Sequence, residues 1–261
     1  MSTLHELYLS EIKQASGRAL SSPPSTFTLN DIAGLPEPIR RYFITCGYLG
    51  TEKHLSALLR WRDAKLKLSP FGKWHRIKCY QFNAVPEPTR IVHMNMKLGG
   101  VLPLEARDKY QDGHGNMLIR LLRRFTLRDV EGPEMDASAL VTVLAETLLL
   151  PAYALQPYIH WSPIAADHAA VEINWAGITA HGIFYFNDRG EFTRFETCDR
   201  WRSEKKTKLH QTAWSIRVSD YITNMEGIRY PSRATAAWWI GGQWMDYFQG
   251  TITGVGVMAT K

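Results

Sequence analysis

Along this chain the spacing of apolar positions changes register twice. Between residues 57 and 127, and again between 169 and 257, apolar and polar positions alternate with a period of two. Between these blocks, Leu140, Val143, Leu144 and Leu148 form a stripe at helical spacing, which Pro133 and Asp136 open and Pro151 stops. The first block reads as strands at 57–68, 74–82, 89–98, 104–111 and 116–127, separated by Gly/Pro turns such as "SPFGK", "GGVLP" and "DGHG". Met117, Leu118, Leu121 and Leu122 give the last of these a competing helical reading. The second block gives strands at 169–177, 178–187, 191–201, 210–221, 229–240 and 243–257, with "WAGIT" and "NDRG" as hairpin connections.

The pattern therefore predicts a mainly β fold of about eleven strands, an antiparallel sheet too long to stay flat and open. It would form a strongly curved open sheet or half-barrel, with one covering helix near 134–150 and a short helical N-terminus. Leu4, Tyr8, Ile12 and Ala15 recur at helical spacing, "SSPPSTFT" (21–28) is a linker by composition, and "LPEPIRRYF" (35–43) starts a short helix near Pro38. This divides the chain into an N-terminal helix and linker over 1–34 and one sheet domain over 35–261, with a helical insertion at about 134–158.

Composition narrows the class. With 261 residues, 45% hydrophobic, the chain can bury a sizeable core. The net charge of +6 is spread along the sequence rather than gathered on one element, which argues against nucleic acid as a partner. Three isolated cysteines make neither a disulfide framework nor a metal knuckle, so a reducing, cytoplasmic setting is expected. Cys198 reads as a small core residue. The greasiest run, 139–155, is broken by Glu146 and Pro151, so no integral membrane span is expected.

Reaction motifs are scarce. There is no G-x-S-x-G elbow, no H-E-x-x-H pair and no glycine loop leading into a helix, so neither metal nor cofactor is expected. What remains is a set of polar groups on greasy elements. Glu146 sits on a helix apolar nearly all round, either at a wet edge or buried against an arginine or hydroxyl, where it could exchange a proton. Asp108 and Tyr110 share a strand face, as do Asp199 and Trp201, with Arg200 pointing the other way; such aspartates either pair with a neighbouring arginine or do chemistry.

The strand at 178–187 separates its side chains most clearly. Ala180, Phe184 and Phe186 make one purely apolar face, suited to packing against a helix. Thr179, His181, Ile183 and Tyr185 make a mixed face, suited to a concave cavity in which a few polar groups orient a largely apolar ligand. Trp214, Ile216 and Val218 share a face on a neighbouring strand. A barrel interior filled by side chains is the competing arrangement.

The segments "LPEPIRRYF", "DKYQDGHG", "GPEMDASALVTVLAETLLLP", "HWSPI", "GIFYFNDRGEF", "DRW" and "YPSRATAAWW" together resemble a widespread bacterial family of unknown function with an LPxPVRRY-like opening and a Glu-containing, Leu-rich central helix. That resemblance covers most of the chain from about residue 35 and implies a layout similar to the curved sheets of lipoprotein carriers. It implies no particular activity. Two functions follow as expectations. One is a soluble binding protein holding a hydrophobic or amphipathic, lipid-like molecule, with Asp108, Tyr110, His181, Ile183, Tyr185, Asp199, Trp201 and Trp214 lining its site. The other is a cofactor-free cyclase, isomerase or hydrolase using Glu146, His181, Tyr185 or Asp199 as acid and base.

Overall fold

Both period-two blocks join a single antiparallel sheet. The computed structural model describes residues 3–19, 25–204 and 208–256. In chain order it has helices α1 (Leu4–Ala19), α2 (Leu29–Ile32) and α3 (Glu37–Thr45). Strands β1 (Ser56–Lys67), β2 (Trp74–Arg76), β3 (Lys78–Ala84), β4 (Thr89–Leu98), β5 (Leu102–Gln111), β6 (His114–Leu121) and β7 (Phe125–Val130) follow. Helix α4 (Pro133–Ala145) and a single 3₁₀ turn (Pro151–Leu155) lead to β8 (Ile159–Ala165), β9 (His168–Trp175), β10 (Ile178–Phe186) and β11 (Phe192–Thr197). Then come β12 (Trp201–Glu204), β13 (Lys208–Gln211), β14 (Trp214–Thr223), β15 (Arg229–Ile240) and β16 (Gln243–Gly256).

The strand order is β7-β6-β5-β4-β3-β1-β16-β15-β14-β11-β10-β9-β8, with β2 on β1, making a 14-stranded sheet. Each block is a meander, and the two are joined where β1 pairs with β16. The sheet does not close. It curls around α4, which packs on β5 and β6 near one edge and on β9 and β10 near the other. The connection between the edge strands β7 and β8 therefore runs through the inside of the curve. Leu140, Val141, Val143 and Leu144 are all fully buried, as a helix apolar on every side requires. Its first turn can approach β6 because residue 115 is glycine: a Cβ there would lie 2.5 Å from the Met135 carbonyl oxygen. Asp136 Oδ1 accepts from the Gly115 N–H at 2.6 Å.

Helix α1 covers the other face of β3, β4 and β5. Its predicted stripe Leu4, Tyr8, Ile12 and Ala15 is buried, with Tyr8, Ile12 and Ala15 packed over Phe82, Ala84 and Ile91. Part of the predicted linker, residues 20–24, lies outside the described residues, as does the last residue of the strand expected at 243–257.

Several boundaries differ from expectation. The segment 116–127 is two strands, turned by Leu122 and Arg123 at φ 53° and 60° without any glycine or proline to announce the turn. The segment 74–82 splits at Ile77, whose N–H leaves the ladder to donate to the Ala64 carbonyl. Strand β8 contains Pro163, which lowers its strand signal but is tolerated on an edge. Helix α4 ends at Ala145, not 150, so Glu146 is its C-cap. The expected strand 191–201 stops at Thr197, and Cys198 is exposed in the bend that follows, not in the core.

Candidate functional site

Ending α4 at Ala145 aims the Glu146 carboxylate at the inner face of β3 and β4. Alternation on β3 puts Cys79, Gln81 and Asn83 inside, leaving Tyr80 and Phe82 toward α1. Glu146 Oε2 accepts from Gln81 Nε2 at 2.7 Å and Asn83 Nδ2 at 2.8 Å. Its Oε1 accepts from Arg90 Nε at 2.9 Å, and Arg90 Nη1 donates to Asp108 Oδ2 at 2.7 Å. Trp61 Nε1 donates to Gln81 Oε1 at 3.1 Å, which fixes the amide that faces Glu146. Burial opposes the Arg90 charge, but Glu146 and Asp108 more than offset it and hold the guanidinium pKa above its ordinary value. Burial also pushes the neighbouring Cys79 thiol up to about 12.

This charged floor lies beneath a cavity of about 170 Å³. Its walls are mostly apolar, from Trp61, Leu66, Val92, Met94, Ile216 and Phe248. Asp108, Met117, Thr142 and Arg200 line both this cavity and an adjoining hollow of about 280 Å³ that opens between β7, α4 and the β12–β13 hairpin. That hairpin pairs only with itself and stands outside the main sheet. It is pinned to α4 where the Trp201 N–H donates to Ser138 Oγ at 3.0 Å. Arg200 stacks 4.1 Å from the Trp214 ring and 5.1 Å from Trp238, and donates from Nη1 to the Tyr247 hydroxyl at 2.9 Å.

The residues singled out from sequence divide between this cavity and other places. Glu146, Asp108 and Trp214 line the inner cavity, and Trp201 lines its mouth. Tyr110 is buried in the core beside α4 and lines neither. His181, Ile183, Tyr185 and Asp199 lie on the opposite face of the sheet. The purely apolar face of β10 with Phe184 packs toward α4, as its composition suggested, but because α4 lies inside the curve that is the concave face, and the mixed face with His181 lies outside it. Asp199 and Trp201 are also separated, because the chain leaves the sheet between them.

On that opposite face, His160, Glu172, His181, Ile183, Asp199 and Trp244 border a groove of about 520 Å³. His181 Nδ1 lies 2.9 Å from Asp199 Oδ2, and Nε2 lies 3.2 Å from Glu172 Oε2. Both ring nitrogens are therefore occupied by carboxylates. Tyr185 is stacked under the Arg194 guanidinium at 4.0 Å. Although larger than the inner cavity, the groove is an open trough: the His181 side chain is 60% exposed. A ligand there would keep much of its apolar surface in water.

Sequence reasoning missed Gln81, Asn83, Arg90, Arg200 and Tyr247. The usable signal was alternation: Gln81 and Asn83, two positions apart, are amides on one face of a strand whose other face is Tyr80, Phe82 and Ala84.

The chain belongs to the family of unknown function DUF6544, whose model matches residues 25–250. No curated protein matches it. It is similar to a solved structure from Vibrio parahaemolyticus, a domain named for outer membrane lipoprotein sorting, at 8% identity and a TM-score of 0.42, over 78% of this chain and 85% of that one. Among the described residues, no helix is long and apolar enough to cross a membrane.

Proposed function

We propose that this chain is a binding protein that holds an amphipathic small molecule between α4 and the inner face of the curved sheet. The observation that carries this reading is one recessed cavity of about 170 Å³ that combines apolar walls (Trp61, Val92, Met94, Phe248) with a few oriented polar groups and shares Asp108, Met117, Thr142 and Arg200 with the adjoining hollow of about 280 Å³. A pocket of that composition buries the apolar part of a ligand and fixes its polar end.

Acid–base catalysis has less support. A general base needs a free lone pair directed at its substrate. Glu146 already takes three donors, and His181 faces a carboxylate from each ring nitrogen.

Native mass spectrometry of delipidated protein incubated with dodecanol tests the reading. One bound equivalent is expected in the wild type. Ala236→Phe, which places a ring in the cavity, should abolish it at an unchanged fold. Folded wild-type protein that takes up nothing would refute the proposal.

A further inference from the structure

Resting on that reading, we propose that the ligand is an anionic amphiphile whose head group binds Arg200 and whose apolar tail lies in the inner cavity. The inference starts from how the two arginines of the site are engaged. Arg90 is neutralised: it is buried, and its guanidinium bridges Glu146 and Asp108. Arg200 is not. Among the described residues no carboxylate lies within ion-pair distance of it; its partners are two indole faces and one phenol oxygen. Its Nε is buried and has no hydrogen-bond acceptor.

A guanidinium has five N–H donors, and leaving one buried and unsatisfied is unfavourable. Stacking on Trp214 and Trp238 holds the group in place without using those donors, because a cation over a ring face interacts through charge and not through N–H···acceptor bonds. The result is an oriented cation with donors to spare, lining both the apolar cavity and its mouth.

A carboxylate or a phosphate monoester supplies the planar or fork-like acceptor set that a guanidinium matches. Asp108 lies in the same space and pairs with Arg90, but Glu146 shares that guanidinium, so the cluster keeps one net negative charge, and a cationic probe tests whether that charge rather than Arg200 selects the head group. Thr142, on α4, also lines both hollows, but its hydroxyl donates to the Ser138 carbonyl at 3.0 Å, which leaves the donors toward the head group to Arg200. A ligand entering past the β12–β13 hairpin would thus pass its tail inward between Trp61, Met94 and Phe248 and stop with its anionic end at Arg200.

The test is a calorimetric comparison of dodecanoate, dodecyl phosphate, dodecanol and dodecyltrimethylammonium on the wild type and on Arg200→Gln. One charge-assisted contact predicts that the wild type binds dodecanoate or dodecyl phosphate on the order of tenfold more tightly than dodecanol. In Arg200→Gln that preference, read as the ratio of anion to dodecanol affinity on the same protein, should disappear. Comparing the two anions distinguishes a carboxylate head from a phosphate. If the wild type binds anionic and neutral probes equally, or prefers the cationic one, this inference fails while the binding reading stands. If no probe binds, both fail. The wild-type ratio decides the matter even if Arg200→Gln does not fold. Arg200→Lys, which keeps the charge without the fork, should retain part of the preference.

Discussion

Arg90 on β4 and Glu146 at the end of α4 are joined by a hydrogen-bonded ion pair of 2.9 Å, both side chains buried, and this pair ties the central helix to the sheet that surrounds it. Removing one member of such a pair leaves an uncompensated charge and, here, two amides without their acceptor. Glu146→Ala is expected to reduce stability by about 3–5 kcal/mol in urea unfolding. Glu146→Gln, which keeps an acceptor oxygen, should be milder. A loss under about 1 kcal/mol for Glu146→Ala, the value of an exposed pair, would mean that the pair does not tie helix to sheet.

The two faces of β10, one packed toward α4 and one outside the curve, make an opposed pair of substitutions informative. Phe184 is fully buried between the sheet and α4, so Phe184→Ala should cost about 3–5 kcal/mol as a large-to-small core change. His181 is a surface ion-pair member, and His181→Ala should cost less than about 1 kcal/mol. His181→Ala should also leave probe binding unchanged, since His181 does not line the inner cavity. Equal destabilisation by the two would place both faces of β10 in the core.

Acid sensitivity should centre on His93, which is buried under α1 among His5, Tyr8 and Tyr80 with no hydrogen bond to either ring nitrogen. Burial, followed by His5 and Arg123, lowers its pKa to about 4. An unfolded histidine titrates near about 6.5, so between these values the unfolded chain binds a proton that the native one does not. This contribution to stability is complete above about pH 6.5, falls as pH drops toward about 4, and changes no further below that. His93→Phe, which keeps a ring in the stack, should flatten that part of the stability curve. Superimposable curves for the two proteins would remove His93 from the acid response.

Leu149 separates the inner cavity from a third hollow of about 380 Å³ near Phe27, Tyr48 and Tyr230, lining both. Leu148 is buried in protein and Leu150 lines only the third hollow, whereas Leu149 lines both spaces. Leu149→Ala should merge them and extend the longest alkyl chain that binds, measured across a series of chain lengths. An unchanged length limit would show that the cavity ends elsewhere.

The interior strands and α4 were legible because each has a strong period and a recognisable stop. The edge strands were not. All of β7 is exposed, and β8 carries Pro163, so neither shows the burial that makes a strand visible in sequence. The β6–β7 turn was hidden because Leu122 and Arg123 adopt left-handed geometry that sequence reasoning assigns to glycine or asparagine. For the site, Glu146, Asp108, Trp201 and Trp214 could be found as polar or bulky groups on greasy elements. Alternation on β10 separated the helix-packing face from the mixed one, but which of them is concave depends on the side of the sheet that α4 occupies. Arg90 and Arg200 looked like any other arginine of a basic chain until the fold set one between two acids and the other between two indoles.

The central claim, that the ligand tail lies inside the curve of the sheet, is tested most directly by photolabelling. Dodecanoate carrying a diazirine at its methyl end is bound, irradiated and located by peptide mapping. The account predicts label on cavity-wall residues such as Trp61, Val92, Met94 and Phe248. Label concentrated on His160, Ile183 and Trp244 of the outer groove, or spread over the surface, would contradict it.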